Sequence, residues 1–181
     1  ISYSGMVYDV QDLEGLIEGI IKFLKKMPAP NLKVRFLGIS FNQKQHERFK
    51  QITKGYENYF EATARMERAE AMQILKKSHV LIMMAYGNQK GIPSSKLYEY
   101  IALQKPVLLY PGDKDIIENT LKECNAGHVA QKPEDVMEVL QRLYSNYLCG
   151  KSQISHNNKQ EISKYSRKNQ TRELARLLDR L

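Results

Sequence analysis

The residues best suited to chemistry lie between Gly87 and Pro106, in the stretch GNQKGIPSSKLYEYIALQKP. Gly87 and Gly91 let the backbone bend and approach a ligand closely. Pro93 ends the extended loop, and Ser94 or Ser95 is suited to cap the helix that follows. A helix beginning there presents unpaired N–H groups and a partial positive charge, a combination that binds phosphate. Lys96 adds a full charge at the same end. Glu99 lies one turn further in. Its carboxylate can accept two hydrogen bonds from a vicinal diol such as a ribose offers. As an ordinary helix residue it would only stabilise the positive end of the helix. A capping box does not apply, because that needs an acid three residues after the cap, whereas Glu99 follows Ser95 by four positions and Ser94 by five.

Other chemistries lack their residues. No G-x-G-x-x-G follows the first apolar segment, and there is neither a P-loop nor a G-x-S-x-G elbow. Nicotinamide-dependent dehydrogenase, P-loop NTPase and serine hydrolase activities are therefore unsupported. His46, His79, His128 and His156 are scattered, and none stands at metal-ligand spacing from another His or Cys. No metal and no cofactor are expected. Cys124 and Cys149 form no disulfide framework and fit a reducing, cytoplasmic compartment. Arg65, beside Met66, is placed either to touch phosphate or to sit on the surface at a helix start. Tyr8, Tyr86 and Tyr110 fall near strand ends, where tyrosine packs or lines a cleft.

Positioning these residues requires a frame, and strand and helix patterns alternate along the chain. Ile1–Ser4 reads as a short strand. Asp9–Lys26 reads as a helix with one apolar stripe, Leu13, Leu16, Ile17, Ile20, Ile21 and Leu24, stopped by Pro28 and Pro30. Leu32–Gly38 is a second strand, Gln43–Thr53 a polar helix and Asn58–Ala62 a third strand. Glu67–Lys77 is helical. Val80–Met84, VLIMM, is an uninterrupted apolar run suited to a central parallel strand covered on both faces. Ser94–Leu103 is a helix and Pro106–Tyr110 another buried strand. Asp115–Cys124 is helical, His128–Ala130 a short strand and Pro133–Tyr147 an amphipathic helix. This alternation predicts an α/β fold, a Rossmann-like parallel sheet with helices on both faces. Ligands of such sheets bind at the carboxyl ends of the strands. Residues 1–150 form this domain. Residues 151–181 are read as a polar linker, Gly150–Lys159, and a final helix, Glu161–Leu181, with Leu174, Leu177, Leu178 and Leu181 on one edge.

The 181 residues, 42% of them hydrophobic, suit one domain with its own core. No apolar run approaches the ~20 residues that span a bilayer. The sequence opens on Ile1 and enters an apolar segment at once, so it is expected to be a piece of a longer protein. Net charge is +8. Residues 151–181 carry eight Lys/Arg and three Asp/Glu, a net +5, which leaves +3 for residues 1–150. The basic tail suits either a solvated helix face or peripheral contact with anionic lipid at the inner face of a membrane. No aromatic-interleaved basic patch is present, so nucleic acid is not an expected partner.

The stretch from Pro93 to Val107 resembles the donor-binding region of glycosyltransferases with two Rossmann-like domains, the GT-B fold, and above all the retaining family 4 group. That group carries a P-x-K-L-x-E-Y-(I/L)-A signature closed by K-P-V. Here it reads Pro93, then Lys96-Leu97-Tyr98-Glu99-Tyr100-Ile101-Ala102, then Lys105-Pro106-Val107. Ile1–Gly5 resembles the first strand and glycine turn of the C-terminal domain, Phe36-Leu37-Gly38 its second strand, and Glu70–Met84 the segment before the donor loop. The resemblance implies a domain that binds a nucleotide-diphosphate sugar, in an enzyme of polysaccharide biosynthesis whose own N-terminal domain holds the acceptor. It implies that Glu99 binds ribose hydroxyls, that the amides of Ser94, Ser95 and Lys96 approach the diphosphate, and that Gly5 and Met6 line it. Thr63, Arg65 and Met66 would lie beside the base. Two departures stand out. Family 4 members carry a second glutamate where this chain has Gly91, and an Arg and a Lys after the first glycine turn where it has Met6 and Gln11. Lys90, Lys96 or Arg65 is left to supply that charge. A nucleotide-sugar epimerase or a phosphorylase-like enzyme would share the fold. A non-catalytic receiver-like module would need an Asp at the end of an early strand, and neither Ile1–Gly5 nor Leu32–Ser40 ends in one.

Overall fold

A computed structural model describes residues 1–27, 31–151 and 158–180. The helix stop at Pro28 and Pro30, most of the linker, and Leu181 of the last apolar edge lie outside the described residues. Six strands, β1 (Ser2–Ser4), β2 (Val34–Leu37), β3 (Phe60–Ala62), β4 (Leu81–Met84), β5 (Val107–Tyr110) and β6 (Gly127–Val129), form one sheet in the order β3-β2-β1-β4-β5-β6. Every neighbouring pair is parallel. The helices are α1 (Leu13–Lys26), α2 (Gln43–Ile52), α3 (Arg68–Lys77), α4 (Ser95–Ala102), α5 (Ile116–Glu123), α6 (Pro133–Leu148), α7 (Lys159–Lys164) and α8 (Arg167–Leu178).

Strand side chains alternate between faces, and the two cores divide accordingly. Val34, Phe36, Ile82, Met84, Leu108 and Tyr110 point to the layer holding α1, α2 and α6. Leu37, Leu81, Met83, Val107 and Leu109 point to the layer holding α3, α4 and α5. All four residues of β4 and of β5 are buried, so these strands are covered on both sides as the VLIMM run predicts. Burying one such side chain contributes about 1.5–3 kcal/mol.

Helix α1 starts at Leu13, four residues later than its pattern suggests, because Asp12 caps it and accepts from Gly15 N at 2.9 Å. It packs on α6 along a close seam at Gly19. A Cβ there would stand 2.6 Å from Pro133 O and 2.6 Å from Val136 Cβ. The expected single helix from Glu161 is two. Ser166 breaks it, its hydroxyl accepting from Asn169 N at 3.3 Å to cap α8. Helix α7 returns to the body of the domain. Asn158 N donates to Cys124 O at 3.0 Å, Tyr165 Oη donates to Glu123 at 2.9 Å, and the Tyr165 ring lies 5.4 Å from that of Tyr98. Helix α8 has no buried residue.

Candidate functional site

Strand order reverses between β1 and β4, the place where a parallel sheet opens a crevice at its carboxyl end. The loop after β1 turns at Gly5, whose φ of +110° favours glycine and whose N–H donates to Leu37 O at 2.8 Å. The loop is tied down beyond that turn. Gln11 is buried, donates to Met84 O at 3.1 Å and accepts from Tyr8 N at 3.0 Å. Lys44 grips Asp9 at 2.6 Å, and Arg48 donates to Gln11 O at 3.0 Å. Gln11, at a position where the resemblance places a phosphate-gripping charge, is instead a brace between the first loop and β4.

Helix α4 is anchored to the same point by Tyr100. Its fully buried hydroxyl accepts from Ser4 N at 3.0 Å. This sets Lys96 directly against Gly5: a Cβ on that glycine would fall 2.8 Å from Lys96 Cε. Lys96 Nζ donates to Tyr3 Oη at 2.8 Å and lies 4.6 Å from the centre of the Tyr3 ring. Tyr3 in turn donates to Met6 O at 2.6 Å. Burial alone pushes the Lys96 ammonium down to about 8, with no carboxylate to offset it. The ammonium thus lies over an aromatic face, with no carboxylate paired to it among the described residues. Ser94 occupies the cap position of α4, but its side chain makes no capping bond. In the first turn of α4 the Leu97 amide donates to Ser94 O at 3.0 Å, while those of Ser95 and Lys96 have no helical acceptor of their own.

Two cavities lie at the Gly5–Met6 turn, and Lys96 lines the second of them. One, of about 350 Å³, is lined by Ser4, Gly5, Gly38, Arg65, Met66, Arg68 and Glu99 among others. Glu99 Oε1 is bonded there by Arg68 at 2.7 Å, and the Glu99 side chain is 33% exposed. Arg65 lies over the Phe41 ring, 5.7 Å from its centre. The other cavity, about 790 Å³, is lined by Met6, Tyr8, Tyr86, Pro93, Ser94, Ser95 and Lys96 among others. The Tyr8 and Tyr86 rings stand 5.9 Å apart at its wall. A much smaller cavity, about 70 Å³, lies at the opposite ends of the strands among Phe23, Val80, Leu140 and Tyr144.

The structure thus brings Gly5, Arg65, Met66 and Glu99 to one cavity, Met6, Ser94, Ser95 and Lys96 to the next, and leaves two residues aside. Thr63 braces the turn after β2, accepting from Gly38 N at 3.1 Å and donating to Ala64 O at 3.0 Å, and lines neither cavity. Gly91, with a φ of +72°, donates its N–H to Asp115 at 2.5 Å and also lies outside both walls. Lys90 reaches Asp113 O. Of the three basic residues left to supply charge, Lys96 stands against the Gly5 turn, Arg65 borders the cavity behind it, and Lys90 turns to the loop after β5. The sequence pattern does not single out Arg68 or Tyr3, and it includes Tyr100 only as a position of the signature, with no role attached. The two tyrosines carried a signal, a hydroxyl within an otherwise apolar strand or helix face. Among the described residues, no group of three or more His, Cys, Asp or Glu side chains could hold a metal ion, and no helix is long and apolar enough to cross a membrane.

No family model and no curated protein matches the sequence. Solved structures do match. Anabaena HepE in complex with UDP aligns with a TM-score of 0.74 at 13% identity, over 99% of this chain and 48% of that one. A UDP-forming α,α-trehalose-phosphate synthase from Burkholderia vietnamiensis aligns at 0.72 and 11% identity, over 99% and 45%. The C-terminal domain of a group 1 glycosyl transferase, LpcC from Francisella tularensis, aligns at 0.61 and 14% identity, over 91% and 85%. The chain has the fold of one GT-B half. It spans under half the length of the first four structures matched, among them a Methanocaldococcus jannaschii epimerase solved with UDP-GlcNAc and UDP.

Proposed function

We propose that this GT-B half binds the nucleotide-diphosphate sugar of a glycosyltransferase and presents it to an acceptor held by the enzyme's N-terminal domain. The observation that carries the proposal is the bracketing of Gly5 by Lys96 on one side and the Glu99 cavity on the other, where strand order reverses. A diphosphate laid across Gly5 and Met6 meets Lys96 and the first-turn amides of α4, including those of Ser94 and Ser95. The same donors stabilise the diphosphate as it departs, a role that requires no metal. Glu99 accepts from the ribose hydroxyls, with Arg65 and Met66 beside the base and Thr63 holding the turn behind them. Gly91 leaves its part of the loop without the carboxylate that family 4 members carry. A UDP-sugar epimerase would share the nucleotide site and differ in the chemistry completed by the other half. The proposed setting is cytoplasmic, with α8 carrying the enzyme to an anionic membrane face where its polysaccharide acceptor is made.

A thermal-shift panel of UDP, GDP, ADP and CMP tests the reading. A diphosphate at about 100 times its dissociation constant should add roughly 2.7 kcal/mol of stability. If no diphosphate moves the melting temperature at millimolar concentration, the donor-site reading is wrong for this chain. The pH dependence gives a second readout. Lys96 is charged below about 8 and neutral above it. Diphosphate binding should therefore be strongest near neutral pH, weaken as pH rises past that value, and take up protons within that range. Lys96→Met should flatten the profile. In the free protein the sign is opposite: the folded ammonium is harder to charge than the unfolded one, so its burial penalty is present below about 8 and is relieved as pH rises toward the ordinary lysine value of 10.5.

A further inference from the structure

Glu99 does not wait empty for a ribose. In the free chain one of its oxygens is held by Arg68 Nη2 at 2.7 Å, and both residues line the same cavity. The two come from different elements, Arg68 from the first position of α3 and Glu99 from the middle of α4, so the pair bridges the cavity between these helices. Arg68 is 79% exposed, and no other ion pair or hydrogen bond of its side chain is seen among the described residues. Glu99 is the more enclosed partner, at 33%.

From this geometry we infer that Arg68 is a competitor for the ribose carboxylate: a side chain that occupies Glu99 in the free state and must release it before a diol can bind. The inference rests on the nucleotide reading of the site. A carboxylate binds a vicinal diol through both oxygens, one to each hydroxyl, so a guanidinium on one oxygen removes half of the acceptor. The contest is a mild one. An exposed ion pair is worth at most about 1 kcal/mol, so Arg68 tunes affinity and selectivity without closing the site. It also gives the site a bias between ligands. A nucleotide with both ribose hydroxyls gains two bonds on displacing Arg68, whereas one lacking them gains none and leaves the pair intact. A freed guanidinium on an exposed helix end is fully hydrated, so its release costs little.

The test is the affinity of Arg68→Ala for UDP, GDP and ADP, each measured beside its 2′,3′-dideoxy form, in the wild-type and Glu99→Gln backgrounds. Arg68 is exposed at a helix start, and an unchanged melting temperature of the free variant checks that it folds. Competition predicts tightening of roughly two- to fivefold for the ribonucleotide, the range an exposed ion pair allows. It predicts no change for the dideoxy form and no change once Glu99→Gln has removed the contested carboxylate. Weaker ribonucleotide binding in Arg68→Ala would make Arg68 a ligand-binding residue and overturn the inference. Unchanged binding would make the pair a bystander, with the same consequence. Equal wild-type affinity for ribo and dideoxy forms would overturn it too while leaving the diphosphate site standing. If none of the three diphosphates binds wild type or variant, the nucleotide reading itself fails and takes this inference with it.

Discussion

Helices α6 and α8 carry the same kind of pattern and meet opposite fates. Each has an apolar stripe recurring every three or four residues. On α6 the stripe of Val136, Val139, Leu140 and Leu143 is buried against α1 and the sheet. On α8, Leu174, Leu177 and Leu178 are 57%, 60% and 60% exposed. The difference teaches what an amphipathic period specifies. It states that a face is built to be covered, and it says nothing about what does the covering. For α6 the covering surface lies in the same domain, shaped by Gly19. For α8 no surface among the described residues reaches it.

Four substitutions probe that contrast. Leu140→Ala empties a buried position on the α1–α6 layer and should cost about 2–5 kcal/mol, a fall in melting temperature of many degrees that calorimetry would register. A loss below 1 kcal/mol would mean that this layer collapses to fill the gap and is softer than its burial suggests. Gly19→Ala should cost about 1–3 kcal/mol by wedging α1 off α6. Adding Val136→Ala removes the Cγ1 met at 2.9 Å but leaves Val136 Cβ and Pro133 O at 2.6 Å, so only part of the loss should return; full recovery would mean that the γ-methyl contact alone carries the strain. The smallest effect belongs to α8. Leu177→Ala should leave the melting temperature within about 0.5 kcal/mol equivalents of wild type. Yet it should weaken co-sedimentation with anionic vesicles at low salt, if the stripe and its arginines meet lipid as proposed. Vesicle binding that is absent at low salt removes the membrane role. A large stability loss would show that α8 is packed after all.

The same logic separates what could be read in the sequence from what could not. The apolar runs of β4 and β5, the stripe of α1 and the glycine turn after β1 are local statements, and each maps onto an element within a few residues. Lys96 and Glu99 were legible because a helix start fixes spacing, and spacing decides which groups share a turn. Helix ends were less legible. The pattern starts α1 at Asp9, and the bond from Gly15 to Asp12 moves that start to Leu13. The break at Ser166 is not legible because Ser166–Glu173 carries no apolar period in which a helix boundary would show. Long-range partners left no trace. Gln11 reads as an ordinary polar residue until Met84 arrives to accept its bond. Arg68 meets Glu99 across 31 positions of chain, and Lys90 meets Asp113 across 23. Such pairings are made by topology, to which composition and periodicity are blind.

The position of β1 has a consequence for how the chain reaches this state. Ser2 pairs with Arg35 on one side and Leu81 on the other, and Gly5 meets Lys96. During synthesis from the amino terminus, β1, β2 and β3 can come together early, while the second edge of β1 stays open until β4 has emerged. Non-local parallel pairing of this kind is slow and leaves an unpaired edge exposed on the way. The crevice at the strand reversal is thus absent until β4 and α4 have followed β1, β2 and β3. A ligand that recognises it can act only on chains that have joined β4 to β1, which makes binding a report on that junction.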